Sequence, residues 1–168
     1  MNMDGSSDVN LLIDICNRDI VGQRISIVEW LWFSDCPNFV FAPRVGRIGH
    51  LNPEFSDWNL LDIASGNEIA NSRQPFEQFR IPMENLAGAT ITSFTVDEGR
   101  ALAFTAEFDA NLRFQIEPCE CELDDMETAC WAFDCSDDHV ILVGVKDGVW
   151  RRIHRDDPYY GSKHRPFP

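Results

Sequence analysis

Cysteine thiolates and histidine imidazoles are the side chains that hold zinc, and this chain gathers several of them: Cys119, Cys121, Cys130 and Cys135 precede His139. The count suffices for a tetrahedral site, but the spacing is not that of a zinc knuckle. Cys119 and Cys121, if extended, project to one face two residues apart, and Cys130 and Cys135 flank a strand candidate rather than a turn. Cysteine is among the most buried residue types, so core or half-buried thiols are the plainer expectation. No metal or other cofactor is expected.

Paired carboxylates can exchange protons. The places to look are Asp124 and Asp125 with Glu127, and Asp137 and Asp138 beside His139. Each pair falls in a polar turn, where a solvated carboxylate keeps its ordinary acidity. His50, His139, His154 and His164 are dispersed along the chain, and no GxSxG, HExxH, P-loop or GxGxxG stretch occurs. The motifs do not point to an enzyme. Cysteine and histidine partners that meet only in the fold are the alternative.

Charge says more than motif. The 168 residues carry a formal net charge of −14, which excludes the usual nucleic-acid binder and disfavours anionic membranes, because both need clustered Lys and Arg. The excess is uneven: residues 117–138 hold nine carboxylates and no Lys or Arg, whereas residues 146–168 hold six bases against three acids. A negative surface of this kind speeds encounter with a basic protein. Glu120, Glu122, Asp124, Asp125, Glu127, Asp137 and Asp138 are the candidate partner-binding residues.

The elements that must position these groups are mostly strands. Val9, Leu12, Ile13, Cys16 and Ile20 recur at helical spacing and predict a short N-terminal helix over 8–20, capped by Ser7 or Asp8. The period then falls to two. Residues 24–30 and 39–41 read as a hairpin, with further strands at 58–63, 90–96, 101–108, 112–116, 130–134, 140–145 and 149–153. Trp30 and Trp32 share one face if extended, with Leu31 and Phe33 on the other, as in a strand covered on both sides. The polar stretch 66–85, with Pro75 and Pro82, reads as a surface connection or a linker holding one helical turn.

The fold class expected is mainly β (α+β), an antiparallel meander. Residues 1–154 read as one globular domain and 155–168, with four prolines and glycines, as a flexible tail. Within the domain, Ile20-Val21-Gly22 to Ile25 parallels Leu86-Ala87-Gly88 to Ile91, and Trp58 parallels Trp131, which suggests two related β units at 20–66 and 86–153. The opening residues lack a basic region followed by an apolar stretch, so a soluble cytoplasmic protein with reduced thiols is expected.

Asn85-Leu86-Ala87-Gly88-Ala89-Thr90-Ile91, Leu102-Ala103-Phe104, Phe108-Asp109-Ala110-Asn111-Leu112 and Glu127 four residues before Trp131 together resemble small bacterial β-rich proteins. Some of those are immunity proteins of polymorphic toxin systems. The resemblance covers residues 85–150 and carries over no functional residue. It implies a cytoplasmic inhibitor that neutralises a cognate toxin, such as a basic nuclease, through an acidic surface. The alternatives are a zinc-binding or cysteine-dependent enzyme and a structural or assembly subunit.

Overall fold

The computed structural model describes residues 8–30, 36–44, 48–53, 56–118, 129–144 and 150–156. Helix α1 (Val9–Asp19) begins where Asp8 accepts the Leu11 amide at 3.1 Å, and it buries Leu12, Ile15 and Cys16. The strands β1 (Ile25–Trp30), β2 (Pro37–Phe41), β3 (His50–Asn52), β4 (Ser56–Asp62) and β5 (Glu68–Asn71) follow. Helix α2 (Phe76–Glu84) then leads into β6 (Ile91–Asp97), β7 (Ala103–Phe108), β8 (Leu112–Pro118), β9 (Ala129–Asp134), β10 (His139–Gly144) and β11 (Trp150–His154).

All pairings are antiparallel, in a six-stranded sheet ordered β1-β2-β3-β9-β10-β11 and a five-stranded sheet ordered β5-β4-β8-β7-β6. The mainly β character and the opening helix are therefore as the sequence predicts. The stretch 66–85 is more structured than expected, because it holds β5 and all of α2. Phe76, Phe79 and Met83, with Leu86 just beyond, place one apolar stripe at helical spacing. Pro82 lies inside α2 without ending it.

The two sheets bury one core in which aromatic rings meet edge to face and stacked. Trp58 touches Phe79 and Phe114, while Trp131 touches Phe94, Phe104 and Phe133. Phe39, Leu51, Phe133 and Ile141 form one inward row of the six-stranded sheet; Leu60, Phe114 and Ala106 belong to the matching row of the other. The outer face of β9 and β10 is also covered, since Ala132, Val140 and Leu142 form a second buried cluster with Ile153.

The strand orders have a regularity. Replacing β1, β2, β3, β4 and β5 by β6, β7, β8, β9 and β10, and the reverse, converts one sheet into the other, apart from β11. With β11 set aside, each sheet takes three strands from one half of the chain and two from the other. Register follows the same rule: Val28, Phe39, Leu51 and Phe133 lie across one sheet as Phe94, Ala106, Phe114 and Leu60 lie across the other. Bulges fall between Ile25 and Ile27 and between Ile91 and Ser93, at matching places.

The halves meet at a seam where Arg24 bridges Thr90. The Gly22 amide donates to the Ile91 carbonyl and the Gly88 amide to the Ile25 carbonyl, each at 2.8 Å. Both glycines have positive φ, 87° and 93°, a conformation that side chains with a Cβ resist. Sequence alone marks these two glycines, but not that the segments they open pair with each other.

Candidate functional site

Of the candidate partner-binding residues, Glu120, Glu122, Asp124, Asp125 and Glu127 lie outside the described residues, as do Cys119 and Cys121, Leu31, Trp32 and Phe33, and the tail beyond 156. Asp137 and Asp138 sit on the β9–β10 turn. Asp137 is committed within the fold: one carboxylate oxygen pairs with His139 Nδ1 at 3.0 Å, and the other accepts from Arg152. Burial raises its pKa, but the His139 hydrogen bond and the Arg152 charge outweigh that and hold it below the ordinary carboxylate value. The Asp138 carbonyl accepts the Arg155 amide at 2.8 Å.

Around this turn the structure brings together groups that the sequence scatters. Asp134 accepts from His50 twice, at 2.9 Å from the backbone amide and at 2.8 Å against Nδ1, and pairs with Arg155 at 3.2 Å. His139 and His154 face each other across β10 and β11 with ring centroids 5.2 Å apart. Three of the four histidines thus meet at one end of the six-stranded sheet, where two carboxylates each hold a histidine and an arginine. β11, the strand without a counterpart among the described residues, supplies Arg152 and His154, and Arg155 follows it directly.

Helix α1 closes the inner side of the same end. Asp19 is 2% exposed at its last turn, where the helix dipole disfavours an anion. Arg18 offsets this by donating Nε and Nη2 to the two carboxylate oxygens at 2.8 and 2.7 Å. Burial pushes the Asp19 pKa up, yet the hydrogen bonds from Arg18 and Ser136 carry it below the ordinary value. Cys16 and Cys135 lie beside this carboxylate. Burial, chiefly, raises both thiols, Cys135 to about 12 and Cys16 further. Thiols so placed stay protonated at neutral pH and are poor nucleophiles.

Of the zinc candidates, Cys119 and Cys121 lie outside the described residues, and Cys130, Cys135 and His139 are not grouped as a metal site. Cys130 and Cys135 lie at opposite ends of β9, roughly 16 Å apart for five residues of extended chain, and Cys130 is buried against Ser56, whose hydroxyl lies 2.7 Å from its sulfur. Among the described residues, no group of three His, Cys, Asp or Glu side chains is placed to hold a metal ion.

The outer face of the five-stranded sheet has a different character. Asn71, Asn59, Gln115, Thr105 and Thr95 form one cross-strand row of neutral polar side chains, each partly or well exposed. Carboxylates flank it. Asp57 and Glu117 stand directly opposite each other on β4 and β8, a repulsive pairing, with Arg73 reaching both at 3.8 and 3.6 Å. Glu107 is held by Arg113 at 2.7 Å, and Glu68 and Asp97 are exposed. Glu117 also opens the acidic stretch of residues 117–138, which therefore starts from this face.

No helix among the described residues is long and apolar enough to cross a membrane. Comparisons with protein families, with curated proteins and with solved structures find nothing that matches this chain.

Proposed function

We propose that this protein is an acidic binding protein that acts by occupying a basic protein partner, as an immunity protein occupies its toxin. The supporting observation is the direction of the charge: −14 overall, with Asp57, Glu68, Asp97, Glu107 and Glu117 on or beside an open sheet face that leads into the acidic stretch. An inhibitor of a basic nuclease has to offer carboxylates where phosphates would bind, and it needs no catalytic machinery of its own. Its place of action would be the cytoplasm of the cell that makes the toxin.

The contact surface proposed is the run Glu120, Glu122, Asp124, Asp125 and Glu127, continued by Glu117 and Asp57 on the sheet. Asp137 is not included, because its charge is already met by Arg152 and His139. The test is charge reversal at Asp124, Asp125 and Glu127 together, measured as affinity for the captured partner across a salt series. The reading requires weaker binding and a shallower salt dependence than wild type. Unchanged affinity and slope would remove this surface.

A further inference from the structure

The correspondence between the sheets allows their outer faces to be compared position by position. Ala132 pairs with Leu142 as Asn59 pairs with Asn71, and Val40 follows Phe39 as Glu107 follows Ala106. Val40, Ala132 and Leu142 are buried and apolar, whereas Glu107, Asn59 and Asn71 are polar and partly exposed. The face of the six-stranded sheet is closed at these places, and that of the five-stranded sheet is open to a polar partner.

On the open face two carboxylates are poorly matched. Asp57 and Glu117 stand directly opposite each other, which sets their backbones about 5 Å apart. Arg73 Nη2 lies 3.8 and 3.6 Å from them, too far for a hydrogen bond to either, and its side chain is 73% exposed. By contrast, Arg18 donates two short bonds to Asp19, at 2.8 and 2.7 Å, and Arg113 two to Glu107, at 3.0 and 2.7 Å. A second observation points the same way. Two residues from Asp57 on the same face of β4, Asn59 Oδ1 is buried with no hydrogen-bond partner, an acceptor that lacks its donor.

We infer that this face receives a guanidinium group, an arginine of the basic partner, between Asp57 and Glu117 in place of Arg73. A guanidinium is planar, keeps its charge and presents five donors in a fixed fork, so it can serve two facing carboxylates and a neighbouring carboxamide at once. An ammonium is a point charge with three donors and meets fewer of them. The Ser72 hydroxyl donates to Asp57 Oδ1 at 2.9 Å, while Oδ2 faces Arg73 and is the oxygen left to the incoming group. Arg73 is then a resident base, near enough to ease the facing charges in the free protein and loose enough to be displaced. The inference deepens the function proposed above and rests on it for the basic character of the partner.

The experiment titrates the full-length protein with hexaarginine and with hexalysine, measuring affinity by calorimetry and the Asn59 side-chain amide by NMR. Hexaarginine is expected to bind about threefold or more tighter than hexalysine and to shift the Asn59 signal. Asp57→Asn should weaken hexaarginine about fivefold, and Arg73→Gln should strengthen it about threefold. Arg80→Gln removes the same charge from α2, where Arg80 pairs with Glu84, and should change affinity less than about twofold. Asp57 and Arg73 are both exposed, so the melting temperature should be kept; if a variant fails to fold, the wild-type preference and the Asn59 shift decide. Hexalysine binding as tightly as hexaarginine, an unmoved Asn59 signal, or equal gains from Arg73→Gln and Arg80→Gln overturn the site. Binding that is lost on reversing Asp124, Asp125 and Glu127 but indifferent to Asp57→Asn also overturns it, and leaves the acidic-surface reading standing. Binding of neither peptide overturns it too, and leaves that reading to its own test.

Discussion

Asp19 shows how a single residue ties the ends of this fold together. It is buried at the wrong end of a helix dipole, and Arg18 and Ser136 make it tolerable. A carboxylate held below its unfolded pKa adds stability that is present at neutral pH and is lost as pH falls through its folded value. Asp19→Asn should therefore lower stability by about 2 kcal/mol at pH 7 and flatten the fall towards acid. Denaturant melts from neutral to acid pH test this, and an acid limb as steep as that of wild type would argue against it. The thiols make a second prediction at this scale. Cys16 and Cys135 should react with iodoacetamide at neutral pH far more slowly in the folded protein than in urea. Fast labelling of either would revive the cysteine-dependent alternative. The neighbourhood of Asp137 and His139 and the opposite charges of residues 117–138 and 146–168 foreshadowed the pairs that Asp137 and Asp134 make with His139, Arg152 and Arg155. The pairings of Asp19 with Ser136 and of Asp134 with His50, 84 positions apart, were not legible, because these are ordinary surface residue types far apart in the chain.

Among the elements, the strands were legible where β-branched and aromatic residues alternate between turn residues. β4, β6, β9, β10 and β11 lie within two residues of where the pattern puts them. β3 and β5 were not seen, since three or four residues carry too little periodicity and register with a neighbour decides them. Helix α2 was obscured by its prolines and polar surface, although Phe76, Phe79 and Met83 carried the signal. Phe79 is fully buried among Trp30, Phe76 and Trp58. Phe79→Ala should cost about 4 kcal/mol, read as a lower urea midpoint. A loss below about 1 kcal/mol would mean that α2 is not part of the core.

At the scale of the molecule, the seam and the two sheets are coupled, since each sheet is built from both halves of the chain. Gly22 and Gly88 hold matching left-handed positions there. Each glycine to alanine change should destabilise by about 1 kcal/mol or more, and by similar amounts, because the strain is the same at both. Clearly unequal losses in thermal melts would show that the correspondence does not extend to energetics. The charge excess was fully legible in the sequence, whereas the faces that carry it depend on register.

The most direct test of the acidic-binder account is affinity capture of the tagged full-length protein from the cells that make it. The partner is identified by mass spectrometry, and its affinity is measured at low and high salt. The account predicts a basic protein at about one-to-one whose binding weakens about tenfold or more between the two salts. A neutral or acidic partner, or an affinity indifferent to salt, would contradict it.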